Sequence, residues 1–180
     1  MIRIFLILLF SFFFFLEGLA QKKSFYPEGT QNKNKNSTNK VREYEKDEYQ
    51  YKSIYYSAIK EKSLENYDKA IKLFLKCTKL NENNPAAYYE TARLYNLLQD
   101  DKLSVKYSKI SYNLDKSNKW YAEFYAQSLF SIYDFYEAQK VYKTLIKNDI
   151  ENEDYYLDLA RVYLYDNKLK TAINTYNDLE

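Results

Sequence analysis

The sequence predicts an all-α solenoid of antiparallel helix pairs. Three observations carry this expectation. Glycine and proline are nearly absent from the body of the chain, small side chains recur at one fixed interval, and the apolar residues between them are spaced for helices.

Only two glycines and two prolines occur in 180 residues, and Gly18, Pro27 and Gly29 all precede residue 41. Beyond that point Pro85 is the one residue of either type. So few tight-turn residues favour helices joined by short links. A phosphate-cradling loop needs glycines to let the backbone approach the phosphate, so nucleotide-binding loops of the glycine-rich kinds are excluded.

The interval is the strongest signal, because self-similarity at a fixed period marks repeat architectures. Ala58, Ala92, Ala126 and Ala160 are each 34 residues apart, and so are Ala70, Ser104, Ala138 and Ala172. The second series trails the first by 12 residues throughout. Bulky residues keep register one turn after each small one: Tyr95, Leu129 and Tyr163 after the first series, with Glu61 the exception, and Phe74, Tyr142 and Tyr176 after the second, with Ser108 the exception. Two antiparallel helices approach closely only where side chains are small, and neighbouring large residues fill the groove beside them.

Each unit reads as two helices. Tyr88, Ala92 and Tyr95 fall at the i, i+4, i+7 spacing of one helical face, and Ala122, Ala126 and Leu129 repeat it. Val105, Tyr107, Ile110 and Leu114 carry one second helix; Ala138, Val141, Tyr142, Leu145 and Ile146 carry another. The intra-unit links are placed at Asn66, Asp100, Asp134 and Asn167, since Asn and Asp tolerate turn geometry. Asn83-Asn84-Pro85 is a stop between units, with Pro85 suited to the first turn of the next helix.

The N-terminus reads as an export signal. Arg3 is followed by residues 4–16 with only Ser11 polar, and Gly18-Leu19-Ala20 offers small residues for cleavage. The apolar run is shorter than the roughly 20 residues a membrane span needs, so the membrane is expected to be met only through this segment. Residues 1–20 are assigned to the signal peptide and 21–40 to a disordered polar spacer, whose Lys, Asn, Ser and Thr bury too little apolar surface to offset ordering entropy. Residues 41–51 form a helical extension or cap, and 52–180 the repeat array, with units near 52–84, 85–118, 119–152 and 153–180. The last unit stops inside its second helix without the polar cap that an array needs. That points to an N-terminal piece of a longer array, or to a partner covering this end.

Function classes narrow quickly. No histidine is present, which removes the commonest general base and metal ligand. Cys77 is alone and reads as a small buried hydrophobe. Acidic pairs such as Glu151 and Glu153 read as solvated helix ends. No catalytic, cofactor or metal site is expected. The formal charge is +2. Lys22, Lys23, Lys33, Lys35 and Lys40 against Glu28 place +4 on the spacer, leaving the body from residue 41 near −2. A slightly acidic body argues against nucleic acid, whose binders carry a basic face.

The pattern resembles the tetratricopeptide repeat family. Tyr88, Ala92 and Tyr95 match its first-helix signature; Tyr67, Ala70 and Phe74, like Phe135, Ala138 and Tyr142, match its second. The resemblance covers roughly residues 52–180. It departs where the family's Gly beside the first small residue is replaced, and where Glu82, Lys116 and Ile150 stand for the closing Pro. It implies a right-handed superhelix whose first helices line a concave, peptide-binding groove. The matching groove positions are Tyr55, Tyr89, Arg93, Trp120, Glu123, Gln127, Phe130 and Arg161, together with Lys52, Ile59, Lys62, Asn96, Asp154, Leu157 and Leu164. Tyr, Trp and Arg are the types that dominate binding hot spots. Some family members clamp a peptide carboxylate with Lys, Asn and Arg; the matching Tyr55, Ile59, Glu90, Trp120 and Phe124 do not supply those donors. The expected role is an exported scaffold, periplasmic or extracellular, for a protein or peptide partner. The alternatives are the docking arm of a longer envelope-assembly protein and the non-catalytic part of an enzyme whose active domain lies beyond residue 180.

Overall fold

A computed structural model describes the backbone of residues 31–178 and the side chains of 46–178. The expected signal peptide and the first half of the spacer lie outside the described residues. Contacts divide the chain into Met1–Glu45 and Lys46–Glu180, and the repeats lie in the second unit. Among the described residues there are eight helices and no strand: α1 (Gln31–Ser63), α2 (Tyr67–Leu80), α3 (Pro85–Leu97), α4 (Asp101–Leu114), α5 (Lys119–Ser131), α6 (Phe135–Asn148), α7 (Glu153–Tyr165) and α8 (Leu169–Asn177). None of these helices is long and apolar enough to cross a membrane.

α1 begins at Gln31, so residues 31–40 are helical where their polarity predicts a disordered spacer. The physical reason is that no Gly or Pro follows Gly29 until Pro85. Once the apolar-anchored part of α1 is formed, each further residue adds one backbone hydrogen bond without a new nucleation cost.

Both small-residue series lie where helices touch. Ala58, Ala92, Ala126 and Ala160 are fully buried, as are Ala70, Ser104, Ala138 and Ala172. Around them two core clusters form. One gathers Tyr51, Ala58, Ala70, Phe74, Cys77 and Leu94. The other gathers Tyr125, Leu129, Tyr142, Leu145, Leu159 and Val162. Where the second series carries Ser104, its hydroxyl sits 3.2 Å from that of buried Ser128, a polar pair satisfying itself.

The two exceptions to the bulky register have structural answers. Glu61 accepts hydrogen bonds from Asn66 Nδ2 at 2.9 Å and Lys69 Nζ at 2.8 Å, tying the end of α1 to α2. These donors hold its carboxyl below the usual carboxylate range. At Ser108, where other units carry Phe74 or Tyr142, the stacked rings of Tyr95 and Tyr107, 5.6 Å apart, occupy the α3–α4 contact.

The turns within units repeat as strictly as the core. Glu65, Gln99, Tyr133 and Asn167 all have left-handed backbones, with φ of 60°, 61°, 62° and 57°, and they are one period apart. After each, a backbone N–H reaches back five residues: Asn66 to Glu61, Asp100 to Tyr95, Asp134 to Leu129 and Lys168 to Tyr163, at 2.9–3.0 Å. This is the Schellman closure, whose left-handed position usually holds Gly. Of the predicted link residues only Asn167 occupies it. Asn66, Asp100 and Asp134 follow it as N-cap residues; the Asp100 and Asp134 side chains accept the next helix's free N–H groups, whereas the Asn66 side chain makes no cap bond and donates to Glu61 instead. Asp100 accepts from Leu103 N at 3.0 Å and Asp134 from Glu137 N at 3.2 Å. Between units, Asn84, Asn118 and Asn152 cap α3, α5 and α7 in the same way, again 34 residues apart.

A left-handed non-glycine residue costs about 1–2 kcal/mol, against roughly 0.5–1 kcal/mol of extra chain entropy for glycine. Gln99 is exposed and touches little. Gln99→Gly therefore raises the urea midpoint, by up to about 1 kcal/mol of stability. A lowered midpoint contradicts the left-handed turn.

Candidate partner-binding groove

The first helices of the first three units, with the start of α2, enclose a groove of ≈ 670 Å³ lined by Lys62, Tyr67, Tyr89, Arg93, Leu94, Asn96, Leu97, Trp120, Phe124 and Gln127. Register explains why these residues meet. Tyr89 and Arg93 are one helical turn apart on α3, and Trp120, Phe124 and Gln127 follow the same stripe on α5.

An aromatic floor lies beneath. Tyr89 sits 5.0 Å from the ring of Tyr121 and 5.6 Å from that of Phe124, edge to face in the second case. The guanidinium of Arg93 lies 5.6 Å from the Tyr89 centroid, a cation–π placement. Trp120 is 59% exposed, with Lys119 Nζ 5.3 Å from its ring. An indole this open at the mouth of an aromatic groove contributes little to the core and is available for contact.

Charge is arranged around one buried carboxylate. Glu90, 9% exposed, accepts from Lys62 Nζ at 2.6 Å, and Arg93 Nη1 lies 3.8 Å from its other oxygen. Two cations share one anion, so the groove carries a formal charge of +1. Lys62 is bonded closely and Arg93 loosely, so the spare positive charge resides on Arg93, the more exposed of the two.

Burial raises the phenol pKa values along this wall. Behind the wall, in the first unit's core, Tyr55 is pushed up to about 12, first by burial and then by the Glu90 carboxylate. Tyr89 and Tyr121 are raised for the same leading reason. These hydroxyls therefore remain neutral donors at physiological pH. Cys77 is fully buried and its thiol is pushed up to about 11 by burial, which makes it a packing residue with little thiolate character.

The predicted site residues do not all meet in one place. Tyr89, Arg93, Trp120 and Gln127 line the groove together. Tyr55 does not: it stacks on Tyr51 at 5.9 Å and meets Phe74 edge-on at 5.3 Å, so its ring belongs to the first unit's core. Phe130 and Arg161 form a separate group farther along. There Tyr165 meets Phe130 edge-on at 5.0 Å, Arg161 lies 5.7 Å over the same ring, and Asp158 pairs with that guanidinium. Glu123 is half-buried outside the groove lining. It lies beside the Tyr155 hydroxyl, whose pKa burial and this carboxylate both raise. Position matching finds Glu90 only as a clamp position that lacks the donor, and it does not find the floor residue Tyr121. Their signal is relational: an acid one turn after Ala86 is bland until Lys62, 28 residues earlier, comes to face it.

Among the described residues no group of three or more His, Cys, Asp or Glu is placed to hold a metal ion.

No family model matches the chain, and no curated protein does. Solved structures do. A structure of MamA superposes with a TM-score of 0.66 at 13% identity, covering 86% of this chain and 94% of that one. YrrB, described as a TPR protein with an unusual peptide-binding site, superposes at 0.65 and 16% identity, covering 72% of this chain and 66% of that one. The first TPR of Spaghetti (RPAP3), solved with the HSP90 peptide SRMEEVD, superposes at 0.56 and 18% identity, covering 63% and 93%. At such identities the likeness establishes architecture, and it agrees with the period, the paired small residues and the repeated turn: this chain carries the tetratricopeptide-repeat fold, with helix pairs α1–α2, α3–α4, α5–α6 and α7–α8.

Proposed function

We propose that the chain is an exported, non-catalytic scaffold that holds an extended segment of a partner protein between α1, α3 and α5. The observation that carries this reading is the groove itself. An exposed Trp120, an aromatic floor and an incompletely neutralised Arg93 converge there. Tyr89, Phe124 and Trp120 offer apolar area on side chains whose rotamers are already limited by packing, which lowers the ordering cost of binding. Arg93 supplies a planar donor fork suited to a carboxylate. The complementary segment carries an acidic residue beside an apolar or aromatic one. Two proteins of the same fold, YrrB and the RPAP3 repeat, are described with a peptide-binding site or a bound peptide, which supports this use of the surface. Export rests on the apolar run at residues 4–16 and the small residues before Gln21, and places the partner in the periplasm or outside the cell.

Selection of peptides from a displayed random library on the purified chain tests the reading. The enriched peptides are expected to pair an acidic with an aromatic residue. Arg93→Glu and Trp120→Ala are each expected to weaken them at least about tenfold, the scale of 1.4 kcal/mol, while Lys79→Glu on the exposed side of α2 leaves them unchanged. Peptides that bind all four proteins equally overturn the groove assignment.

A further inference from the structure

We infer that the outer face of the second helices is a docking surface for a membrane rich in anionic headgroups. The inference comes from where the charge lies. Together α2, α4 and α6 carry ten lysines against three acids, a formal charge of +7. The body as a whole is near −2, and the first helices α3, α5 and α7 sum to −2. Many of the compensating acids stand in the links, Glu65, Asp100 and Asp134 among them. Net charge therefore conceals a segregation that the fold reveals. Each of the three basic helices keeps its single acid in the first turn, where the helix dipole favours it.

The lysines are ordered in two directions. Along α2, Lys72, Lys76 and Lys79 fall at i, i+4, i+7, opposite the buried Ala70, Phe74 and Cys77. Both α4 and α6 carry a similar stripe of three, centred on Lys106 and Lys143, and every lysine of the three stripes is exposed. Across the array Lys72, Lys106 and Lys140 are one period apart. Lys140 pairs with Glu137 at 2.7 Å. Among the described residues Lys72, Lys76, Lys79, Lys106 and Lys143 form no ion pair. Like charges one turn apart repel and weaken a helix, so the stripes do not serve the fold.

Their layout selects the kind of anion. A thread-like polyanion neutralises a line of charge, whereas these lysines cover an area three helices wide. None of the three helices carries an arginine, the residue whose planar fork grips single phosphates and base edges. A hydrated point charge on a flexible stem suits a fluid layer of headgroups, which attracts it without fixed pairing. Apart from Tyr67, the groove is lined by first helices. A chain laid down on its second helices therefore keeps the groove open to a partner, and meets the membrane by more than its N-terminal segment.

Sedimentation of the full chain with vesicles tests this at about 0.1 M salt, where charge is felt over roughly 10 Å. Pure phosphatidylcholine gives the baseline, which includes any contribution of the apolar N-terminal run. Phosphatidylglycerol at about a third of the lipid is expected to raise the partition coefficient at least about tenfold, and about 1 M salt to remove the gain. Lys76→Glu/Lys106→Glu/Lys143→Glu loses the gain with helical circular dichroism unchanged, whereas Lys22→Glu/Lys23→Glu/Lys33→Glu in the spacer keeps most of it. No gain on anionic vesicles overturns the inference. So does a gain that survives the second-helix reversals, or one lost equally with the spacer reversals. Duplex DNA or a sulfated polysaccharide that binds the chain more tightly than the anionic vesicles at the same salt overturns the membrane assignment in favour of a thread-like polyanion.

Discussion

Truncating Tyr142 to alanine lowers the unfolding free energy by about 3–5 kcal/mol, the range for removing a large buried aromatic side chain. Its ring is the largest among the fully buried side chains and lies in the cluster that joins α6 to α5 and α7. Its hydroxyl bonds to the Asp158 side chain, and burial followed by that carboxylate drives its pKa upward, so the phenol is held neutral. Truncation removes both the apolar filling and the donor to Asp158. The contrast that makes the experiment informative is Ser108→Ala, exactly one period earlier in the alignment of units. Ser108 is equally buried, but its hydroxyl only donates within its own helix to Val105 O at 3.2 Å. Its loss is expected to cost about 1 kcal/mol or less. Urea unfolding of the two variants measures both. Similar costs at the two positions contradict the assignment of their different surroundings.

Replacing Lys62 by methionine costs about 1.5–3 kcal/mol, the range for hydrogen bonds to charged groups. The side chain of Glu90 is 11% exposed and that of Lys62 is 30% exposed. The more buried partner suffers more when left behind. After Lys62→Met, Glu90 retains only Arg93 at 3.8 Å. The double variant Lys62→Met/Glu90→Met removes the stranded charge and recovers most of the loss, because an apolar pair of similar volume replaces a half-desolvated ion pair at little net cost. A double variant less stable than the single one contradicts this account. The same cycle bears on binding. Without Glu90, Arg93 loses its only carboxylate within the groove, and its orientation over Tyr89 is no longer shared with an anion.

The repeat was legible in the sequence because its strongest demand is steric. Only Ala or Ser fits where two helix axes approach, so Ala92, Ala126 and Ala160 recur in plain sight. The exceptions were visible but not explicable. Glu61 reads as a polar misfit until Lys69 and Asn66, in the next helix and turn, supply its donors. The turn position was harder still. Glu65, Gln99, Tyr133 and Asn167 share a left-handed backbone but no side-chain property, because the Schellman closure is made by backbone groups and tolerates any side chain that can meet its conformational cost. The Asn84, Asn118 and Asn152 caps recur with the same period and were open to the same counting that found the alanines. In the groove, periodicity placed Tyr89, Arg93, Trp120 and Gln127 on one stripe. It did not separate them from Tyr55, since the same stripe in the first unit turns into the core where Tyr51 and Phe74 are available to pack.

The nesting of successive hairpins through small side chains is the claim on which the groove, the turns and the outer face of the second helices all depend. It is tested most directly by urea unfolding of Ala126→Leu beside Gln127→Leu, neighbours in sequence about 100° apart around α5, one in the core and the other at the groove. Ala126 is fully buried and Gln127 is exposed at the groove. The predicted result is a loss of about 1–3 kcal/mol for Ala126→Leu from overpacking and a change within about 0.5 kcal/mol for Gln127→Leu. Equal effects at the two positions, or a larger loss at Gln127, would contradict it.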